Sequence, residues 1–147
     1  MIVGEELLMP TVDRRTGLEV LDRHECLRLL ASQPVGRVAV VVDAWPMIFP
    51  VNYALDGDSI VFRTDEGSKL SGASSGFHMS FEIDGIDNMG RRGWSVVVNG
   101  VGREVVDASE LARLRGLELE PWSPGAKTHW IRIRPESLTG RRVGGPT

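Results

Sequence analysis

Apolar and polar residues alternate with a period of two in residues 78–83 and 129–134 of this 147-residue chain, and other apolar, β-branched runs also have the character of β-strands. The Asp56-Gly57-Asp58 sequence predicts a hairpin turn between two such segments, and Gly100 and Gly102 predict a bulge or bend within another. Pro135 is expected to end the last strand. The segments with strand character are residues 36–42, 45–55, 59–64, 78–83, 94–106 and 129–134.

Two segments instead have helical spacing. Asp22 is a suitable N-cap for the first, and Glu25 three residues later completes a capping-box pattern. Ser109 is the expected N-cap of the second, whose leucines recur every three residues. Residues 69–74 are expected to form one or two further helical turns. The predicted apolar stripe of the first helix consists of Cys26, Leu29 and Leu30.

Strands joined by hairpins and long loops, without regular alternation of strand and helix, favour a mainly β (α+β) antiparallel barrel over a doubly wound sheet. Nothing in the composition marks an internal domain boundary. We therefore expect a leader or arm over residues 1–20, one domain over 21–143 and a tail over 144–147. The leader has no clear period and is expected to be loose or to lie across a partner.

Composition narrows the class of protein. The chain is 41% hydrophobic and 25% charged with a net charge of −3, which argues against a nucleic-acid binder. It contains no apolar run long enough to span a membrane and no signal-peptide pattern at its start, so a cytoplasmic location is expected. The single cysteine, Cys26, excludes an internal disulfide and is expected in the core.

The end of the predicted hairpin carries the most suggestive polar cluster. Thr64 and Ser68 supply hydroxyls, Gly67 permits close backbone approach, and Lys69 adds positive charge. Such a cluster suits an anionic group. The alternative is a solvated hairpin end with a surface lysine.

Other motifs indicate little chemistry. The three histidines are far apart and lack metal-ligand spacing, so no metal site is predicted. Trp94 and Ser95 follow a glycine-rich loop, as a ring and hydroxyl at a pocket rim would, whereas Trp45 is expected in a core or interface. Arg132 and Arg134 either meet phosphate or solvate an exposed face.

In their order along the chain, these pieces resemble the pyridoxamine 5′-phosphate oxidase-like superfamily of flavin-binding split barrels. The nearest resemblance is to small actinobacterial flavin- or deazaflavin-dependent members and to the nitroimidazole-reductase group. The similarity extends over residues 21–142. Its motifs are Leu21-Asp22-x-x-Glu25-Cys26, Pro50-Val51-Asn52-Tyr53, Phe62-Arg63-Thr64-x-x-Gly67-Ser68-Lys69, Gly93-Trp94-Ser95-Val96 and Trp130-Ile131-Arg132-Ile133.

The resemblance implies a six-stranded antiparallel split barrel that forms a homodimer with two cofactor sites in grooves between subunits. Backbone groups of three residues would line the isoalloxazine ring, three side chains would hold the phosphate, and two residues would come from the other subunit. By position these are Pro50, Val51 and Asn52 for the ring, Thr64, Ser68 and Lys69 for the phosphate, and Trp94 and Ser95 from the partner.

Two departures from the family pattern bear on function. Ser68 stands where relatives often carry an arginine, which implies a weaker phosphate clamp. The chain also lacks the C-terminal Arg-x-x-Arg-x-x-Trp pattern of true pyridoxamine phosphate oxidases, so vitamin B6 oxidation is not expected.

The resemblance implies an FMN-dependent oxidoreductase that reduces a small redox-active molecule by hydride transfer. One alternative is a reductase that uses the deazaflavin F-420, with Arg63, Lys69, Arg132 and Arg134 forming a basic groove. Another is a non-catalytic protein that binds flavin or haem. No catalytic residue is assigned, since Tyr53 and His129 are better explained as structural.

Overall fold

A computed structural model describes residues 11–144, and each of the six segments predicted as strands contains a strand. The hairpin at Asp56-Gly57-Asp58 is confirmed, with Gly57 at a φ of 64° as such turns require. The strands are β1 (Thr11–Val12), β2 (Glu19–Val20), β3 (Val35–Val42), β4 (Trp45–Asp56), β5 (Ser59–Thr64), β6 (His78–Asp87), β7 (Arg92–Glu104) and β8 (His129–Val143).

Six of these strands close into an antiparallel ring. They follow one another in the order β8-β5-β4-β3-β6-β7, and β7 pairs with β8 to complete the circle. Every pairing within the ring is antiparallel. The predicted six-stranded split-barrel architecture is therefore confirmed.

Three short helices accompany the barrel: α1 (Arg23–Leu30), α2 (Lys69–Ser74) and α3 (Ala108–Arg115). The predicted cap of α1 is confirmed, because Asp22 Oδ1 accepts a hydrogen bond from the backbone N–H of Glu25 at 2.8 Å. The predicted cap of α3 was wrong. Asp107 caps α3 by accepting from Glu110 N at 3.0 Å, and the Ser109 hydroxyl instead donates to the same carboxylate.

The prediction that Pro135 ends the last strand was also wrong. β8 continues to Val143, and Pro135 pairs with Gly100 on β7 next to a register shift between Asn99 and Gly100. At such a bulge the ladder is already interrupted, so the missing N–H of proline is tolerated. The predicted irregularity at Gly100 is confirmed, and it is what accommodates the proline.

The described part of the leader is a small hairpin rather than a loose segment. β1 pairs with β2, and Glu19 and Val20 of β2 pair with Arg142 and Arg141 of β8. Residues 1–10 of the predicted leader and residues 145–147 of the predicted tail lie outside the described residues.

The barrel interior is apolar and continuous with α1. Phe62 and Phe81 are fully buried, and the Cys26 thiol of α1 lies in the same cluster, as predicted. Tyr53 packs edge-on against Phe81 with ring centroids 4.7 Å apart and donates its hydroxyl hydrogen bond to Leu30 O. A second, smaller cluster around Trp130 and Leu114 lies between the barrel and α3.

Candidate functional site

A groove lies at the end of the β4–β5 hairpin, where sequence reasoning placed the anion-binding cluster. It has a volume of about 480 Å³, within the range of small-molecule sites. The groove brings together six of the eight predicted site residues. They are Pro50, Val51, Asn52, Thr64, Ser68 and Lys69.

Thr64 is the most informative of these residues. It is the last residue of β5 and is only 3% exposed, yet its hydroxyl Oγ1 has no hydrogen-bond partner among residues 11–144. A buried hydroxyl left without a partner costs roughly 1–3 kcal/mol. Such an atom in the wall of a groove fits a site whose ligand supplies the missing partner.

Ser68 and Lys69 flank the same part of the groove. The Ser68 hydroxyl oxygen caps α2 by accepting from Ser71 N at 2.9 Å, so the geometry of the loop is fixed by this bond. Lys69 is exposed, and within the described residues its ammonium makes no ion pair or hydrogen bond. A free ammonium beside an unpartnered hydroxyl is a suitable donor set for a phosphate or another anion.

Pro50, Val51 and Asn52 form the β4 side of the groove. The Asn52 side chain is occupied at both ends: its Nδ2 donates to Pro34 O at 3.1 Å, and its Oδ1 accepts from Trp122 N at 2.8 Å. Its side chain therefore holds neighbouring backbone in place.

Sequence reasoning missed the opposite wall of the groove. Residues 116–128, here called the wall loop, connect α3 to β8, and Pro121, Trp122, Ser123 and Lys127 line the groove. The only signal in the sequence was the tryptophan in a Pro-Trp-Ser-Pro-Gly segment, which predicts a loop but not what the loop covers.

Two residues at the end of β5 fasten the wall loop. The Arg63 guanidinium donates to the carbonyl oxygens of Leu119, Ala126 and Lys127 at 3.0–3.4 Å, and it lies 5.2 Å from the centre of the Trp130 rings. Asp65 accepts from Lys127 N at 2.9 Å and from Lys127 Nζ at 2.6 Å.

This fastening has electrostatic and conformational consequences. The hydrogen bond from the Lys127 ammonium, together with the backbone one, lowers the pKa of Asp65 below its ordinary value. Lys127 itself has a φ of 48°, an uncommon backbone conformation for a lysine. The loop is therefore a fixed wall of the groove.

Trp94 and Ser95 do not lie in this groove. They line a second groove on the β6–β7–β8 side of the barrel, which shares no residue with the first in the described chain. The indole of Trp94 is half-buried and lies over Gly85, where an added Cβ would come within 2.7 Å of the ring. Within one subunit, the structure thus does not unite Trp94 and Ser95 with the other six predicted residues.

The four basic residues considered for a deazaflavin groove also lie in different grooves. Arg63 is occupied by the wall loop. Arg132 is 7% exposed and is bound by Asp56 and Glu110, each at 2.7 Å from Nη2. It lines, with Arg134, a groove other than that of Lys69. Within residues 11–144 these side chains therefore do not form one basic groove.

Neither proton donor considered from sequence faces the groove. Tyr53 is buried and bonded to Leu30 O, and burial raises the pKa of its phenol. His129 Nδ1 lies 3.0 Å from Glu104 Oε1. Both have structural roles in the described chain.

Trp45, which was expected in a core or an interface, does not lie in the core of the subunit. Its side chain begins β4 next to the turn from β3 and is 71% exposed. Within residues 11–144, no helix is both long and apolar enough to cross a membrane. The same residues contain no group of three or more His, Cys, Asp or Glu side chains that could hold a metal ion.

The fold defines the class of this protein as a six-stranded antiparallel split barrel with a groove at the end of the β4–β5 hairpin. A model of the pyridoxamine 5′-phosphate oxidase family matches residues 22–142, and the chain belongs to this family. The resemblance in the sequence motifs is thereby confirmed.

Individual proteins and solved structures are also similar to this chain. The chain is 40% identical to an uncharacterized protein of Mycobacterium tuberculosis over 128 residues, which cover 84% of each protein. It is similar to the FAD-binding protein of Mycobacterium smegmatis, with a TM-score of 0.76, 43% identity and coverage of 84% of this chain and 96% of that one. It is also similar to an FAD-binding protein of Mesorhizobium loti, with a TM-score of 0.64, 26% identity and coverage of 86% and 98%.

Proposed function

We propose that this protein binds a flavin nucleotide in the groove at the end of the β4–β5 hairpin and works as an oxidoreductase. The observation that carries the proposal is the buried Thr64 hydroxyl, which has no hydrogen-bond partner among residues 11–144, in a groove that Lys69 also lines. The names of two structural relatives, both FAD-binding proteins, support a flavin as the ligand.

The residues of the groove divide the work of holding such a ligand. Thr64 and Ser68 would donate hydrogen bonds to a phosphate, and Lys69 would supply its counter-charge. The backbone of Pro50, Val51 and Asn52 would lie along the isoalloxazine ring. FMN is the nucleotide that the sequence resemblance implies, and the two relatives extend the choice to FAD.

The chemistry we propose is hydride transfer, which a bound flavin supplies. The chain's own residues orient the ring, exclude water from one face and hold the phosphate. No side chain of the groove is proposed as an acid or base, because Tyr53 and His129 lie in structural contacts. The proposed substrate is a small redox-active molecule.

The test is a titration of the purified protein with FMN, FAD, riboflavin and the deazaflavin F-420, followed by absorbance and fluorescence. We expect flavin binding at micromolar concentration or below. A colourless protein that takes up only the deazaflavin would replace the flavin proposal. A bound flavin that no donor reduces and no acceptor reoxidises would indicate a binding protein without catalysis.

Lys69→Ala is the matched variant for the phosphate subsite. A charge-assisted hydrogen bond contributes about 1.5–3 kcal/mol, so FMN affinity should fall roughly ten- to a hundredfold. Riboflavin, which has no phosphate, should lose little. Equal losses for both ligands would show that Lys69 acts through the fold, and no loss for either would make it a solvated surface lysine.

A further inference from the structure

The wall loop carries a tryptophan whose side chain is not buried in the fold. The Trp122 side chain is 73% exposed, although it lines the same groove as Thr64 and Lys69. Exposing so large an aromatic surface is unfavourable, since an indole has much apolar area to bury. This indole is therefore a candidate contact for a ligand.

The backbone of Trp122 is held by a hydrogen bond, although its indole ring is largely exposed. Asn52 Oδ1 accepts a hydrogen bond from its backbone N–H at 2.8 Å, and Arg63 and Asp65 hold the loop further along at Leu119, Ala126 and Lys127. An exposed aromatic on a fastened loop loses little conformational entropy when a flat ring stacks on it. Such preorganisation is a property of binding surfaces.

The groove offers separate places for a ring and a phosphate on its β4–β5 side. Pro50 and Val51 lie along β4, Thr64 and Lys69 follow β5, and Trp122 stands on the wall loop opposite them. A mononucleotide flavin needs the first two places only. A dinucleotide flavin adds a second phosphate and an adenine, which is an uncharged flat ring suited to an indole.

We infer that Trp122 is a stacking platform for the adenine of FAD and makes the groove select FAD over FMN. Lys127 lines the same groove, and its ammonium is paired with Asp65 Oδ2 at 2.6 Å. The inference rests on the proposed function, because it assumes that a flavin occupies the groove, and it names which flavin the site prefers.

The experiment compares wild type, Trp122→Ala and Trp122→Phe in equilibrium titrations with FAD and with FMN. Stacking of a base on an aromatic side chain corresponds to an affinity change of roughly ten- to a hundredfold on alanine substitution. We expect Trp122→Ala to lose that much FAD affinity and to change FMN affinity less than threefold. Trp122→Phe should retain most of the FAD affinity because it keeps a ring.

Each other outcome has a distinct meaning. Equal losses for FAD and FMN would place the isoalloxazine ring itself on Trp122 and overturn the inference. Unchanged FAD affinity in Trp122→Ala would overturn it as well. If wild type bound neither nucleotide, the proposed flavin function would fail together with the inference built on it. The Asn52 contact involves only the backbone of Trp122, so a melting temperature close to that of wild type is the expected check on folding.

Discussion

The Thr64 hydroxyl links the stability of the ligand-free protein to ligand binding. It is buried at the end of β5 without a hydrogen-bond partner in the described residues. A buried hydroxyl without a partner lowers the stability of the folded protein until a bound ligand forms a hydrogen bond with it. The same hydroxyl then contributes to affinity.

We therefore expect opposite effects from Thr64→Val, which keeps the shape and removes the hydroxyl. The variant should be more stable than wild type by about 1 kcal/mol in the absence of ligand, because a desolvated polar group is gone. Its affinity for a phosphate-bearing flavin should fall roughly tenfold, since one hydrogen bond to a charged group is lost.

Urea unfolding and flavin titration of the same preparation measure the two effects. Thr11→Val, at an exposed threonine of β1 outside the groove, is the matched control and should change neither quantity. A Thr64→Val protein that is less stable than wild type would show that the hydroxyl has a partner inside the fold.

Among the elements, β6 carries an unusual carboxylate pair on its outer face. Glu82 and Asp84 are two residues apart and so point the same way, and Arg37 of β3 lies 3.7 Å and 3.8 Å from their nearest oxygens. Burial, followed by the hydrogen bond and charge of Asp84, raises the pKa of Glu82 to about 7, against the opposing effect of Arg37. The pair therefore holds a proton that an unfolded chain would release.

The sign of the pH effect follows from this raised pKa. Between the ordinary carboxyl pKa of 4.5 and about 7, the folded protein binds more protons at Glu82 than the unfolded chain does. Stability should consequently fall as the pH rises through that window. The side chain of Glu82 is 35% exposed, so solvent screening limits the effect to about 1 kcal/mol.

Glu82→Gln should remove this contribution, because an amide does not titrate. We expect the variant to gain stability over wild type from pH 5 to pH 8, as measured by urea unfolding at several pH values. The exposed Glu66 is the control position, and Glu66→Gln should keep the pH dependence of wild type. Parallel curves for wild type and Glu82→Gln would contradict the raised pKa.

The elements also show what the sequence pattern does and does not contain. Strand alternation and the Asp22 cap depend on residues close in sequence, and both were predictable; β5 is found at residues 59–64 as expected. The continuation of β8 through Pro135 depends on Gly100 of another strand. In the sequence, Asn52 is one residue of a motif. Its role in holding the wall loop depends on a hydrogen bond to Trp122, which lies 70 residues further along the chain.

The candidate site divides in the same way. The cluster of Thr64, Ser68 and Lys69 is local and was recognised, whereas the wall loop reaches the groove only through Arg63 and Asp65. The sequence does not distinguish a core from an interface position for Trp45, because a tryptophan has much the same sequence signature in both, and the structure leaves its side chain exposed on the subunit. Burial of such residues depends on tertiary or subunit contacts.

For the whole molecule, the distribution of exposed apolar residues supports the proposed homodimer. On the outer face of the β3–β4 pair, Val41 and Ile48 are 67% and 69% exposed, and their neighbours across the two strands are Pro46 and Ala39. Exposed apolar residues side by side on a sheet indicate an interaction surface. The family resemblance implies a homodimer, and we propose that this surface is covered by the second copy of the chain.

A cofactor site shared between two subunits would also explain why the predicted site residues lie in two different grooves of one subunit. Trp94 and Ser95 line a groove of their own, away from Thr64 and Lys69. If the site lies between two subunits, the groove of one subunit is completed by Trp94 of the other. Sedimentation should then show a dimer at micromolar concentration, and a stable monomer would contradict both proposals.

The sharpest test of the shared site combines two defective chains. Lys69→Ala and Trp94→Ala homodimers should each bind FMN or FAD weakly, since every site in them lacks one contact. When the two chains are produced together with different affinity tags, the isolated mixed dimer has one site with both defects and one with neither. We expect it to bind half an equivalent of flavin per chain with wild-type affinity. Weak binding at every site of the mixed dimer would show that Lys69 and Trp94 do not serve one site across the subunits.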